Sequence, residues 1–147
     1  MLTHEISSEQ CIDLLARASV GRLGCSYNDQ PYIVPIYFAY DSDWIYVFST
    51  FGKKIEWMRA NPKVCVEIEE TTGSSESLSV IVNGQYEELP EPQFTKERAH
   101  ARELLAKRHQ WWLKAMAERR VTANDHDVAP LFFRIHVDSI TGLRWRT

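Results

Sequence analysis

The sequence predicts a mainly β chain with helices (β+α), folded as a small closed or nearly closed antiparallel barrel of about six strands. Three observations predict it. Short runs of strand-like alternation recur between residues 19 and 88 and again from 131 to 146; turn residues separate the early runs at meander spacing; and helical periodicity is confined to the start, the middle and the late part of the chain. Closing such a sheet removes the unpaired edges it would otherwise expose. The 147 residues fit one domain over 1–147, which can bury roughly 68–70% of its unfolded surface without disulfides or metals.

The first helix starts at Ser7, three residues before Gln10, the spacing of a capping box, with Ile6 placed to staple against Cys11. Its inner face is expected to be Cys11, Leu14, Leu15 and Ala18. Runs at 19–27, 31–40 and 44–49 follow, separated by Asn28-Asp29-Gln30 and Asp41-Ser42-Asp43, which reads as a three-strand meander. The second and third runs are apolar on both faces. Tyr32, Val34, Ile36, Phe38 and Tyr40 point one way, and Ile33, Pro35, Tyr37 and Ala39 point the other. A barrel interior takes one face, so the second needs a cover, and a symmetric partner subunit is the expected one.

After Thr50, Ile55 and Met58 mark a helix of two to three turns that Asn61-Pro62 ends, because proline disfavours helical geometry in the residue before it. Residues 63–70 alternate Val64, Val66 and Ile68 against Cys65, Glu67 and Glu69, a strand with one wet face. Residues 77–88 form another strand, with a bulge or tight turn expected at Asn83-Gly84 and an end at Pro90 and Pro92. From 95 to about 120 the composition turns helix-forming and charged, giving one bent helix or two short ones. The last strand runs from 131 to 146, with Leu131, Phe133, Ile135 and Val137 on one face.

Composition narrows the function. Seventeen Lys and Arg against 20 Asp and Glu give a net charge of −3, which disfavours nucleic acid as the main partner, because that affinity rests on neutralised phosphates. The eight basic residues between 96 and 120 alternate with Glu97, Glu103 and Glu118, the pattern of a solvated helix face. Cys11, Cys25 and Cys65 show no Cys-x-x-Cys pairing and fit free thiols in a reducing cytoplasm. No stretch approaches the ~20 apolar residues of a membrane helix. The five histidines lack ligand spacing, so no metal site is expected. No Gly-x-Ser-x-Gly elbow points to a hydrolase.

Two segments carry chemistry. Val47-Phe48-Ser49-Thr50-Phe51-Gly52-Lys53-Lys54 runs out of a buried strand through two hydroxyls and a glycine into a helix that begins with two lysines. Hydroxyls, free N–H groups and the positive end of a helix all favour an anion such as phosphate, and lysine adds a formal charge. The bland alternative is a hydroxyl helix cap with solvated lysines. In 32–38, Pro35 sits within a strand, where its missing N–H must cost no ladder bond, so it marks an edge, a bulge or a docking place. Backbone groups freed there can bond the edge of a flat heterocycle while aromatic side chains cover its faces; an aromatic core with a strained edge is the other reading.

Taken with Gly21-Arg22-Leu23-Gly24, Asn61-Pro62-Lys63-Val64-Cys65-Val66 and Ser79-Val80-Ile81-Val82-Asn83-Gly84, these segments appear in an order that resembles the FMN-binding split-barrel superfamily, the pyridoxamine 5′-phosphate oxidase-like proteins, and within it the nitroimidazole-resistance branch. The resemblance covers roughly residues 5–88 well and the rest loosely. It implies a homodimeric six-stranded split β-barrel with FMN in a groove at the dimer interface. The phosphate would be held by Ser49, Thr50 and Lys54, with Lys53 and Arg22 beside them, and the ring would lie along Val34, Pro35, Ile36 and Tyr37. The partner's Arg144 and the partner's Trp145 would form a further wall. The implied activity is flavin-dependent electron or hydride transfer to a small-molecule substrate, with NAD(P)H as a candidate donor; the alternative is a non-catalytic flavin, haem or tetrapyrrole carrier or sensor in the same groove.

Two departures stand out. Relatives in the nitroimidazole branch often carry a histidine where this chain has Lys53, and many have a Tyr-Arg-Ser-Val run where it has Ser77-Leu78-Ser79-Val80. The segment at 95–120 is a helical elaboration that the resemblance does not explain.

Overall fold

The computed structural model describes residues 2–73, 75–108 and 130–146. The elements are β1 (Leu2–Glu5), α1 (Ser8–Arg17), β2 (Val20–Tyr27), β3 (Gln30–Asp41), β4 (Trp44–Thr50), α2 (Lys53–Ala60), β5 (Lys63–Thr72), β6 (Glu76–Glu88), α3 (Thr95–Arg108) and β7 (Pro130–Arg146). All strand pairings are antiparallel. They run β7-β4-β3-β2-β5-β6, and β6 returns to β7, so six strands form a ring as the sequence predicts. The short β1 is an addition that alternation did not reveal: all four of its residues are exposed, and it pairs with the end of β7.

The meander turns are tight because their central residues accept left-handed backbone. Asn28 and Asp29 have φ of 49° and 63°, and Ser42 and Asp43 have 46° and 70°. Two consecutive left-handed residues give the turn whose twist matches that of the strands it joins. The capping box of α1 is present, with Ser7 Oγ accepting from the Gln10 N–H at 3.2 Å and Gln10 Oε1 accepting from the Ser7 N–H at 2.9 Å. Between β6 and β7 the register shifts at Asn83/Gly84, the expected bulge.

Alternation fills the ring. Leu23, Ile36, Phe38, Ile45, Val47, Val66, Ile68, Val80, Val82, Phe133 and Ile135 point inward, joined by Cys11, Leu14 and Leu15 of α1 and by Ile55 and Met58 of α2. A second core lies outside the ring, where α3 lays Ala101 and Leu105 on Ala39, Tyr46, Leu89 and Phe132. This modifies the expectation that a partner covers the outer face of β3 and β4: α3 of the same chain covers the Ala39 and Tyr46 end, while Ile33 and Tyr37 remain 68% and 42% exposed. The charged helix is also less solvated than its composition suggests, since the guanidinium groups of Arg98 and Arg102 stand 4.9 and 5.7 Å from the Phe132 ring centre. The expected continuation over 109–120, with Trp111 and Trp112, lies outside the described residues. No helix among the described residues is long and apolar enough to cross a membrane.

Candidate functional site

The ring is split where β3 changes partners. Residues 30–37 pair with β2, whereas 38–41 pair with β4. Beyond Val47, β4 continues to Thr50 along β7 with no register to β3. Phe38 donates its N–H to the Ser19 carbonyl at 2.9 Å. Antiparallel bonding alternates, so the even residues of β3 face β2, and the backbone of Ile33, Pro35 and Tyr37 turns toward the opening. Pro35 therefore costs the ladder nothing, as its place in the sequence requires.

The exit of β4 forms one wall of this split. Ser49 is the one polar side chain among the described residues that is counted as buried, at 7% exposure, and its hydroxyl donates to the Thr50 carbonyl at 3.2 Å. The chain then passes Phe51 and Gly52 into α2. Gly52 is the N-cap and supplies no side-chain hydrogen bond, so the first N–H groups of α2 have no capping side chain. A Cβ placed on Gly52 would find no heavy atom within 4 Å. The backbone there is extended, with φ −179°, a conformation other residues adopt, so neither strain nor internal packing accounts for the glycine.

The two lysines diverge. Lys53 Nζ lies over both Tyr32 and Trp57, 4.6 Å from each ring centre, with the two tilted rings 5.6 Å apart. Withdrawing it toward an anion would give up cation–π contacts worth ~0.5–1 kcal/mol each at an exposed site. Lys54 is half-buried at the helix start. Burial pushes the Cys25 thiol up from its ordinary pKa, neighbouring Cys65 adds to the rise, and the charges of Lys54 and Lys53 partly oppose it, which places both cations near this end of β2.

The remaining sequence-predicted residues separate into groups. Val34 and Ile36 turn their side chains into the barrel core, so they can offer a ligand only backbone. Pro35 and Tyr37 face outward. Arg22 stands across from Pro35 on β2, also outward, with Nη1 at 3.5 Å from Glu67 Oε1; β3 lies between it and Ser49. Trp145 pairs with Thr3 and Ser77, whereas Thr50 pairs with Pro130, 15 residues earlier on β7. Trp145 is thus remote from the split along its own strand. It can wall the site only from a second copy.

Two features escaped the sequence. The first is a groove of about 540 Å³ on the outer face, lined by Gly24, Ile33, Cys65, Asn83, Gln85 and Asp138 among others; it contains none of the ten predicted residues. The second is a relay behind the loop at Phe51 and Gly52. Arg59 lies 5.1 Å from the Phe51 ring centre and donates to both oxygens of Glu88, at 2.6 and 3.1 Å, and the Tyr86 hydroxyl donates to the same carboxylate at 2.6 Å. Arg59 holds the Glu88 carboxyl below its ordinary pKa, opposed by burial and assisted by Tyr86, while burial and the carboxylate push the Tyr86 phenol well up. Arg59 and Glu88 are 29 positions apart, beyond the reach of any local pattern. Among the described residues no group of three or more His, Cys, Asp or Glu side chains could hold a metal ion.

A ring of six antiparallel strands, split between its second and third meander strands and carrying an uncapped helix start at the opening, defines the split-barrel class. The profile of the pyridoxamine 5′-phosphate oxidase family matches residues 7–144. The chain belongs to the pyridoxamine 5′-phosphate oxidase-like FMN-binding split-barrel family. It is 40% identical over 147 residues to an uncharacterized protein of Rhizobium meliloti (strain 1021), covering 97% of this chain and 95% of that one. A solved FAD-binding protein of Mesorhizobium loti superposes with a TM-score of 0.80 at 39% identity, covering 98% of this chain and 97% of that one. A candidate 5-nitroimidazole antibiotic resistance protein of Bacteroides thetaiotaomicron superposes with a TM-score of 0.74 at 21% identity, with 99% and 89% covered, and shares the fold.

Proposed function

We propose that this chain is a homodimeric flavoprotein oxidoreductase that holds the riboflavin 5′-phosphate unit, common to FMN and FAD, in the split between β3 and β4. One observation carries the reading. The N-terminus of α2 has no capping side chain and opens onto space beside Gly52; Ser49 and Thr50 lead into it along the chain, and Lys54 is its second residue. Such a helix start offers aligned N–H donors and a positive dipole end to a phosphate. The flavin, when bound, supplies the electron or hydride transfer. The chain anchors the phosphate through the helix start and Lys54, orients the ring against the outward backbone of residues 33–37, and keeps water from one face. FMN is the form the sequence resemblance implies; the FAD-binding character of the Mesorhizobium loti protein supports a flavin without selecting FMN.

Support for the dimer is the outer face itself. Ile33, Tyr37 and Val20 lie 68%, 42% and 49% exposed on neighbouring strands, beside the groove at Gly24 and Cys65. A second copy laid there would bury them.

Titrating the stripped protein with FMN, followed by quenching of flavin fluorescence, tests the site. Lys54→Ala is expected to weaken binding about tenfold or more, because a charge-assisted hydrogen bond contributes ~1.5–3 kcal/mol. Unchanged affinity would refute the phosphate contact. Reduction of the bound flavin by NADPH, and reoxidation by an acceptor, separates an enzyme from a carrier, and a haem spectrum in the purified protein would overturn the flavin reading.

A further inference from the structure

We propose that Glu88 is a positioning residue for the flavin phosphate: through Arg59 and Phe51 it fixes the loop that leads into α2, so that a carboxylate, which by charge alone repels a phosphate, strengthens its binding. Fixing that loop matters only where the phosphate meets the start of α2, so this role rests on the function proposed above.

The loop has little of its own to hold it. Gly52 gives the helix start no side chain, and a Cβ there would meet nothing within 4 Å; Phe51 is 48% exposed and belongs to neither hydrophobic core. Glycine loses more conformational freedom on ordering than any other residue, so a ligand must order such a loop itself unless the protein has already done so. The Arg59 guanidinium, in the last turn of α2, stands 5.1 Å from the Phe51 ring centre. Arg59 is itself committed, donating from Nε and Nη2 to the two oxygens of Glu88 at 2.6 and 3.1 Å. Two parallel bonds fix the plane of a guanidinium, which one bond would not. Glu88 also accepts from the Tyr86 hydroxyl at 2.6 Å, while the Tyr86 N–H donates to the Pro62 carbonyl at 2.8 Å and its ring packs 5.1 Å from that of Phe133. Glu88 is therefore the joint that ties the loop, through Arg59, to the end of β6 and the barrel core.

Charge and position carry opposite signs here. Arg59 holds the Glu88 carboxyl below its ordinary pKa, so Glu88 is ionised at neutral pH. A carboxylate near an anion site opposes the anion, and removing its charge alone would tighten phosphate binding. Removing the joint does the reverse: the guanidinium loses its fixed plane, Phe51 loses its support, and the ordering of Phe51 and Gly52 falls to the ligand. The expected loss is about fivefold in affinity, within the range for immobilising a side chain on binding. Riboflavin has the same ring and ribityl chain but no phosphate, and makes no use of the loop.

Parallel titration of stripped wild type, Glu88→Gln, Arg59→Lys and Phe51→Ala with FMN and with riboflavin, followed by quenching of flavin fluorescence, tests the role. Wild type is expected to prefer FMN. Each substitution should weaken FMN about fivefold and leave riboflavin within about twofold. Arg59→Lys keeps the charge but loses the two-pronged bond, so wild-type affinity in that variant would show charge at work and overturn the positioning role. Glu88→Gln combined with Phe51→Ala should bind FMN no more weakly than Phe51→Ala alone, because both break one chain of contacts. Unchanged or tighter FMN binding by Glu88→Gln, an equal loss for the two ligands, or additive losses in the double variant would also overturn the role while leaving the phosphate site standing. Phe51→Ala alters an exposed residue outside both cores and keeps the test decisive should Glu88→Gln fail to fold. A wild type that binds riboflavin as tightly as FMN would overturn the phosphate site and the role of Glu88 together.

Discussion

Gly84 offers a sharp test of the architecture. It lies at the point where β6 slips in register against β7, and a Cβ built on it would stand 2.1 Å from the His136 carbonyl oxygen and 2.8 Å from Ile135 Cγ2. Close carbon–oxygen contacts between strands lie near ~3.3 Å, so Gly84→Ala demands a displacement of about 1.2 Å, the difference between that distance and 2.1 Å. The obstructing atom belongs to backbone and cannot swing aside as a side chain would. The strands must therefore part within a ladder of 13 residue pairs. Overpacking costs ~1–3 kcal/mol where side chains can adjust; with a ladder opened as well, a loss of ~3 kcal/mol or more is expected. Urea unfolding followed by circular dichroism measures it, and with a slope of ~1–3 kcal/mol per molar the midpoint should fall by roughly 1–3 M. Gly52→Ala is the internal control, because its new methyl would meet nothing within 4 Å; there the change should stay within ~1 kcal/mol, the scale of a lost N-cap preference. The reasoning fails if Gly84→Ala loses less than ~1 kcal/mol, or if the two substitutions cost the same.

Two further outcomes follow from the relay and the exposed face. Glu88 has a folded-state pKa below its ordinary 4.5, held there first by Arg59, so its contribution to stability is fully present above 4.5 and disappears as pH falls through the lowered folded value. The stability difference between wild type and Glu88→Gln should accordingly be constant near neutrality and shrink in acid; a difference that grows on acidification would contradict the assignment. Ile33 is 68% exposed in the single chain, so Ile33→Glu should leave folding intact. In sedimentation experiments wild type is expected to run as a dimer and Ile33→Glu to shift toward monomer, whereas a monomeric wild type would remove the proposed seam.

The fold was largely legible in the sequence because its information is local. Alternation assigned Val64, Val66 and Ile68 to the inner face of their strand without knowledge of what faced them, and they are buried there. Asn28-Asp29 and Ser42-Asp43 specified tight turns through their tolerance of left-handed backbone. What stayed hidden depends on partners distant in sequence. Nothing local in Lys53 reveals that its ammonium lies over Tyr32 and Trp57, and the charged face of α3 gives no sign that Arg98 and Arg102 lie over Phe132. Val34 and Ile36, which the family resemblance sets along a ring, turn their side chains into the barrel and leave only backbone on the other side. Of the edge, bulge or docking place that Pro35 signalled, the structure shows an edge, since residues 30–37 of β3 pair only with β2.

β7 is the stave that closes the hoop. Its first half holds β4, its last residues hold β1, and its opposite edge holds the whole of β6. Until residues 130–146 are in place, β4 and β6 each carry a bare edge able to recruit a stranger. Closure therefore waits for residues 130–146, whose pairing is long-range and slow by the logic of loop closure. A product lacking that stretch would lose the enclosure and would join other molecules at its open rims.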